Sequence, residues 1–520
     1  MDDHFSSSTE NSKELYLCFL IISLITVILI LVSNSKWRSR RSRRKLPPGP
    51  RRLPVIGNLH HLAGNLPHRS LHQLAEKHGP LMHLQLGHIP AIIVSSPEVA
   101  YEIMKSQDLR FCSRPSTQVF DKFSYGGLDI AFSKYGESWR QMRRLATSEI
   151  FSLKRVQSFR GVREEEVEVL MRSIHRSSST CTPVNLSEMF VCLSNNIICR
   201  EVFGKRFSED GECNRSENHE LVLEIIELIG GFSIGEFFPC LQYWLNMITG
   251  LKQKLERSFK RMDELFEREI EEHCLSPTGH PGHKEDFVDV LLKLQTNSVD
   301  LGFSLTRDHI KAILMNMFLG GTDTSAATLV WAMSELMRHP KVMKKAQDEV
   351  RGIVGKKGKV EESDLQQISY LKLIINETLR LHCVFPLLGP RECMEECEVN
   401  GYIIPEKTRV YVNAWAIARD LKLWEDPQNF IPERFEASDI NFRGQHFKFI
   451  PFGAGRRICP GMQFGITTVE IALANILYHF DWEPPFGTSH KDIDMTEAFG
   501  IVLHKKSPLI LMARPRETQV

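Results

Sequence analysis

Apolar positions recur three and four residues apart in Leu71–His78, Ser138–Ser148, Lys252–Glu272, Thr306–Arg338, Lys341–Val354 and Asp364–Leu381. That spacing gathers side chains on one face of a 3.6-residue turn, so each stretch is expected to be a helix with a buried stripe. Alternation over Leu81–Leu86, Ala91–Ser95 and Arg409–Val412 predicts short strands. The expected class is mainly α, with small β-sheets near the start of the body and again after residue 390. The longest helix should stop at His339-Pro340, because proline disfavours helical backbone in the residue before it. From about Leu53 onward no repeat or clear linker interrupts the pattern, and His280–Asp286 (HPGHKED) reads as a polar loop between helices.

The N-terminus breaks the amphipathic pattern. Leu15–Val32 (LYLCFLIISLITVILILV) carries no charge. At ~1.5 Å per residue it just spans a hydrocarbon core of ~30 Å. Asp2, Asp3, Glu10 and Glu14 precede it, and KWRSRRSRRK follows. The basic flank should stay cytoplasmic, so the bulk of the chain is expected to face the cytosol. A cleaved signal peptide would have its basic charge before a shorter apolar run, with small residues at the cleavage site. The expected organisation is a lumenal N-terminus (1–14), a single transmembrane anchor (15–33), a basic and Pro-rich hinge (34–52) containing Pro47-Pro-Gly-Pro50, and one body (53–520). The sequons at Asn185, Asn214 and Asn376 would then face the wrong compartment for glycosylation. Gly231–Gly250 is apolar and aromatic but too broken by Gly and Pro to span a membrane. It is expected either in the core or as a surface loop dipping into the anchor's membrane.

Composition narrows the class. Of 520 residues, 42% are hydrophobic and 25% charged, which suits a folded body and excludes a disordered chain. A formal net charge of +1 gives no overall drive toward nucleic acid. Twelve cysteines are too sparse for a disulfide scaffold and form no CxxC pair. Cys393 and Cys397 are the nearest approach to such a pair, and alone they are poor evidence for zinc.

Phe452–Met462 (FGAGRRICPGM) concentrates three glycines, two arginines and one cysteine. A phosphate loop would end in Lys-Ser/Thr, which is missing. A cysteine nucleophile needs a base, and the nearest upstream histidine is His446; folding could still supply another. The spacing Phe-x-x-Gly-x-Arg-x-Cys-x-Gly fits a haem thiolate better, and on it the sequence resembles the cytochrome P450 superfamily. The resemblance implies that Cys459 ligates the iron and pushes electron density toward O–O cleavage. Gly455 and Gly461 would let backbone N–H groups approach the sulfur. Phe452 would shield that side of the ring, and Arg457 would pair with a haem propionate.

Further motifs follow in family order. Glu377-Thr-Leu-Arg380 places opposite charges at i and i+3 on one helical face. A surface pair would contribute at most about 1 kcal/mol, but apolar neighbours suggest burial. The family resemblance joins Arg434, in Pro432-Glu-Arg-Phe435, to the same structural network. Gly320-Gly321-Thr322-Asp323-Thr324-Ser325 lies mid-helix, where each glycine costs roughly 1 kcal/mol against alanine. Close helix packing is one reading; a local opening beside an oxygen site is the other. By resemblance, Asp323 and Thr324 would supply protons during dioxygen reduction. Trp139 and Arg143 share a face at i and i+4, and with Arg391 they match family propionate contacts. Lys448 and Arg456, with Arg140 and Arg144, form either a docking patch for an acidic reductase or plain solvated charge.

The resemblance covers nearly the whole chain and is nearest to the plant A-type microsomal enzymes of specialised metabolism. It implies a single-pass protein of the endoplasmic reticulum membrane, containing haem b. The expected reaction is monooxygenation, hydroxylation or epoxidation, of a lipophilic small molecule such as a terpenoid or alkaloid, with O2. No dinucleotide fingerprint or flavin domain is visible, so electrons would come from NADPH through a separate NADPH–cytochrome P450 reductase, with cytochrome b5 as a further candidate. The substrate pocket is expected from Phe111–Lys134, Ile313–Asp323, Val384–Leu388 and Ala498–Val502, with Phe318, Val384, Phe385, Leu387, Phe499 and Val502 making it apolar. A thiolate-haem isomerase or dehydratase would not need the Asp323-Thr324 pair, and a haem sensor or carrier would leave anchor and relay unexplained.

Overall fold

The computed structural model describes residues 45–64, 66–207, 217–231, 233–275, 285–297, 303–498 and 500–516. The apolar run Leu15–Val32, its basic flank up to Arg44, and Phe499 lie outside them. Among the described residues, no helix is long and apolar enough to cross a membrane.

The longest helix, Arg307–Arg338, organises the body. Thr306 and His309 form a reciprocal capping box at its start, and His339 ends it before Pro340. It packs on Leu186–Phe203, Met462–His479 and Tyr370–Leu381. The first two of these carry no periodic stripe in the sequence. Nearly every face of them is buried, so they carry no polar stripe for a periodicity argument to find. The largest apolar cluster fills the space between these helices.

A four-stranded sheet flanks the helices. Leu81–Leu86 pairs antiparallel with Ile89–Val94, which runs parallel to Arg409–Val412; Arg391–Glu392 closes the sheet antiparallel to that last strand. The Pro47–Pro50 run does not stand off as a spacer. Pro47 is buried, and the Pro48 carbonyl accepts from the His83 N–H at 2.7 Å. The body therefore begins before residue 53.

The segment Gly231–Gly250 divides between core and surface. Phe237 and Phe238 are buried against Leu71 and Met82. The short helix Gln242–Ile248 leaves Tyr243, Trp244 and Ile248 exposed by 61%, 62% and 81%. Leu53, Val55 and Ile56 are exposed near the same place, since the Ile56 carbonyl accepts from Gly87 and the Phe237 carbonyl from His88.

Candidate active site

A cavity of about 350 Å³ lies between the long helix and the Phe452–Gly461 loop. Its wall gathers Met317, Gly320, Gly321, Thr324 and Thr328 from one face of Arg307–Arg338, with Phe452, Arg457, Cys459 and Gly461 from the loop. Cys459 is the only cysteine among the residues lining it. Protein atoms surround the thiol while its sulfur remains accessible from the cavity. Burial raises its pKa, opposed by the Gly461 N–H and the charge of Arg143. The Cys459 N–H donates to the Phe452 carbonyl at 3.0 Å, closing the loop.

The loop's glycines are needed for different reasons. Gly455 has φ +68°, and a Cβ there would lie 2.1 Å from the Met104 carbonyl oxygen. That close approach is to a neighbouring segment, not to the sulfur. Gly461 has ordinary helical-side backbone and lines the cavity beside Phe151.

Four arginines reach the same wall: Arg114, Arg143, Arg391 and Arg457. Arg457 donates to the carbonyls of Cys112, Ile130 and Ser133 at 2.7, 3.2 and 2.6 Å, and its guanidinium lies 4.1 Å from the Trp139 ring centroid. Arg143 donates to the Ile458 carbonyl at 2.5 Å. Arg114 donates to the carbonyls of Ala131, Gly389 and Pro390. Of the four, Arg391 pairs with a carboxylate, Asp108 Oδ1 at 2.9 Å. Burial lowers the pKa of all four, and pushes Arg457 down to about 9. Desolvated guanidinium groups held mainly by neutral carbonyls favour an added anion. With a thiol on the same wall and an apolar surround, they suit the two propionates and the iron of a haem.

Trp139 is buried but off the cavity wall, its indole N–H donated to the Ile130 carbonyl at 3.0 Å. Arg114 and Asp108 escaped the sequence reading. The one hint was an arginine between small residues and a proline in Phe111-Cys-Ser-Arg-Pro115. Asp108 also accepts from Arg456, at 3.0 Å from both its backbone N–H and its side chain. Arg140 pairs with Glu137, so two cations of the suggested docking patch have carboxylate partners.

The long helix is not opened at its glycines; its hydrogen-bonded course is continuous through them. A Cβ at Gly321 would lie 2.3 Å from Ile198 Cδ1, so this position serves close packing with Leu186–Phe203. A Cβ at Gly320 would meet nothing within 4 Å, so this position leaves room in the cavity. Thr324 Oγ1 donates to the Gly320 carbonyl at 2.7 Å. Asp323 is buried off the cavity stripe, and its Oδ2 meets His504 Nε2 at 2.9 Å.

Behind the cavity, Glu377, Arg380 and Arg434 form one buried network. Arg380 grips Glu377 with two parallel bonds of 2.7 and 2.8 Å, and Arg434 Nε reaches Glu377 Oε1 at 2.9 Å. Backbone carbonyls of Ala418, Pro427 and Asn429 take the remaining Arg380 donors.

The expected substrate residues divide. Val384, Phe385 and Val502 line the main cavity, whereas Leu387 lines a smaller neighbouring one that shares Phe385. Phe318 is not on either wall. It lies a quarter-turn off the cavity stripe and packs on Phe203 and Phe266, with ring centroids at 5.4 and 5.7 Å.

A family profile described as Cytochrome P450 matches residues 47–512. Among curated proteins, Cytochrome P450 71A1 of Persea americana is 52% identical over 461 residues, covering 88% of this chain and 91% of that protein. Premnaspirodiene oxygenase of Hyoscyamus muticus is 45% identical, covering 96% of this chain and 98% of its own. Strychnine-11-hydroxylase of Strychnos nux-vomica is 47% identical, covering 96% and 97%. Among solved structures, a zebrafish cytochrome P450 with progesterone superposes with a TM-score of 0.73 at 27% identity, covering 87% of this chain and all of that one.

Proposed function

The chain belongs to the cytochrome P450 family, as a plant A-type haem-thiolate monooxygenase fed by a reductase, and from that premise we propose what its own residues do and what it oxidises. Cys459 would hold the haem iron through its thiolate. Arg457, Arg143 and Arg391, joined by Arg114, receive the propionates, with Trp139 supporting the Arg457 guanidinium. Bound haem supplies the redox centre at which O2 is activated. Asp323 and Thr324 pass the protons that let one oxygen atom leave as water. Glu377, Arg380 and Arg434 hold the backbone from Ala418 to Asn429 in place. The observation carrying this reading is one cavity whose wall combines a single cysteine, four desolvated guanidinium groups and the Thr324 face of a continuous helix.

The substrate is a lipophilic specialised metabolite, of terpenoid or alkaloid type. Apolar wall residues such as Phe132, Ile226, Ile229, Val384, Phe385 and Val502 support this, as do the names of two relatives, a premnaspirodiene oxygenase and a strychnine hydroxylase. NADPH–cytochrome P450 reductase is the electron donor, with cytochrome b5 as an accessory. The sequence from Leu15 to Val32 anchors the protein in the endoplasmic reticulum membrane with the body cytosolic. The exposed rim of Trp244, Ile248, Val55 and Ile56 rests on that membrane.

Microsomes carrying this chain and a plant reductase, challenged with terpenoid and alkaloid libraries, should form products only with NADPH and O2. Turnover confined to highly polar compounds would refute the apolar-substrate reading. Thr324→Ala should keep the reduced-carbonyl difference spectrum yet divert electrons to peroxide; normal coupling would remove the relay role. An oxygen-independent isomerase would need neither Asp323 nor Thr324.

A further inference from the structure

Asp323 is 1% exposed and off the cavity wall. A carboxylate so enclosed needs a second group to exchange protons with bulk water. Its Oδ2 lies 2.9 Å from His504 Nε2, while Oδ1 is buried with no hydrogen-bond partner among the described residues. The His504 side chain remains 36% exposed, so the imidazole spans from the buried acid to the outside.

This histidine is held in place. Its preceding residue, Leu503, accepts from Trp331 Nε1 at 2.8 Å and donates its N–H to the Val384 carbonyl at 2.8 Å. Trp331 belongs to the same helix as Asp323, about two turns on. On the paired strand Glu497–Ala498, Glu497 is engaged by His68 and Arg69. Lys505 turns to the Ser507 carbonyl. Asp323 is therefore the charged group that His504 faces. Burial opposes charging the ring, but the hydrogen bond and charge of Asp323 outweigh it and raise the pKa above the ordinary histidine value.

We propose that His504 is the entry point through which solvent protons reach Asp323. The inference rests on the reading of Asp323 and Thr324 as the relay. A proton from water adds at Nδ1, and the imidazolium gives its Nε2 proton to Asp323 Oδ2. One proton has entered and one has left, no electrons have moved, and the exposed ring regains its starting tautomer by giving its Nδ1 proton to water and taking one at Nε2. Asp323, now neutral, carries the proton inward.

The test uses the full-length holoenzyme in nanodiscs with reductase, NADPH and O2 and no added organic substrate, so oxygen ends as peroxide or water. His504→Gln keeps a hydrogen-bond donor to Asp323, and His504→Arg keeps a cation there, but neither can pass a proton on. Both should show an unchanged carbonyl difference spectrum and an about tenfold slower reduction of oxygen to water. Independently, [13Cε1]histidine NMR of the reduced carbonyl complex should show His504 titrating above ~6.5, and by about one unit lower in Asp323→Asn. Wild-type water formation in His504→Arg would reduce the pair to an electrostatic contact and overturn the proposal. So would a His504 pKa indifferent to Asp323→Asn. A defect in Thr324→Ala without one in His504→Gln removes the entry role and leaves the relay. No defect in Thr324→Ala removes the relay, and with it this proposal.

Discussion

Glu377→Gln isolates the charge at the centre of the buried network, because glutamine keeps the shape. Glu377 Oε1 accepts from Arg380 Nη2, Arg434 Nε and the Ile431 N–H; Oε2 accepts from Arg380 Nε. Both Glu377 and Arg380 are 0% exposed. An amide NH2 in place of either oxygen turns its face, a donor, toward a guanidinium donor. The two guanidinium groups would also lose the carboxylate they share and be left to backbone carbonyls. Breaking a buried pair from one side costs about 3–5 kcal/mol, a large part of the 5–15 kcal/mol that holds typical domains folded. Arg434→Lys should cost less, because that side chain is 10% exposed and sits at the network's edge. The assay is the guanidinium midpoint of the holoprotein, read alongside the yield of its carbonyl difference spectrum in membranes. Glu377→Gln should lower both sharply. A variant within about 1 kcal/mol of wild type, with full haem yield, would refute the view that the carboxylate compensates two buried cations.

Gly321→Ala should destabilise the protein by about 1–3 kcal/mol through its clash with Ile198. Gly320→Ala should be neutral or stabilising by up to about 1 kcal/mol, since its Cβ meets open space; denaturation midpoints separate the two. Arg114→Ala should hasten haem transfer to apomyoglobin about 10- to 100-fold, as expected for one charge-assisted bond of about 1.5–3 kcal/mol. Unchanged transfer would mean that this arginine serves only its three carbonyls. Burial pushes the Glu470 pKa up to about 7, only partly offset by Lys372. Its protonated form is favoured by folding, so its contribution is intact below an unfolded pKa of ~4.3 and is lost as pH rises toward 7. Glu470→Gln should therefore raise the thermal midpoint at pH 8, by a stabilisation on the order of 3 kcal/mol, and do little at pH 4.

What the sequence disclosed depended on how local each cause was. Leu81–Leu86 and Arg409–Val412 alternate along their own length and appear with those limits. The stretch Asp364–Leu381 has helical spacing throughout, yet splits into a short turn, Asp364–Gln366, and a helix, Tyr370–Leu381. The reason is remote: the Glu349 carboxylate accepts from the backbone N–H groups of Ser369, Tyr370 and Leu371 and starts the second helix there. The same distinction governs the cavity. Cys459, Arg457 and Thr324 sit in short motifs whose spacing is itself the signal. Arg114, Asp108 and His504 come from segments with no such spacing, and only folding brings them beside Arg391, Arg456 and Asp323. Phe318 shows the converse. Its apolar character and its place near Gly320 suggested a pocket wall, but residue type is silent on azimuth. On a helix buried all round, the core at Phe203 and Phe266 and the cavity compete for the same apolar side chains. The azimuth becomes readable only from Gly320 and Gly321, where one missing side chain admits Ile198 and the other opens onto the cavity.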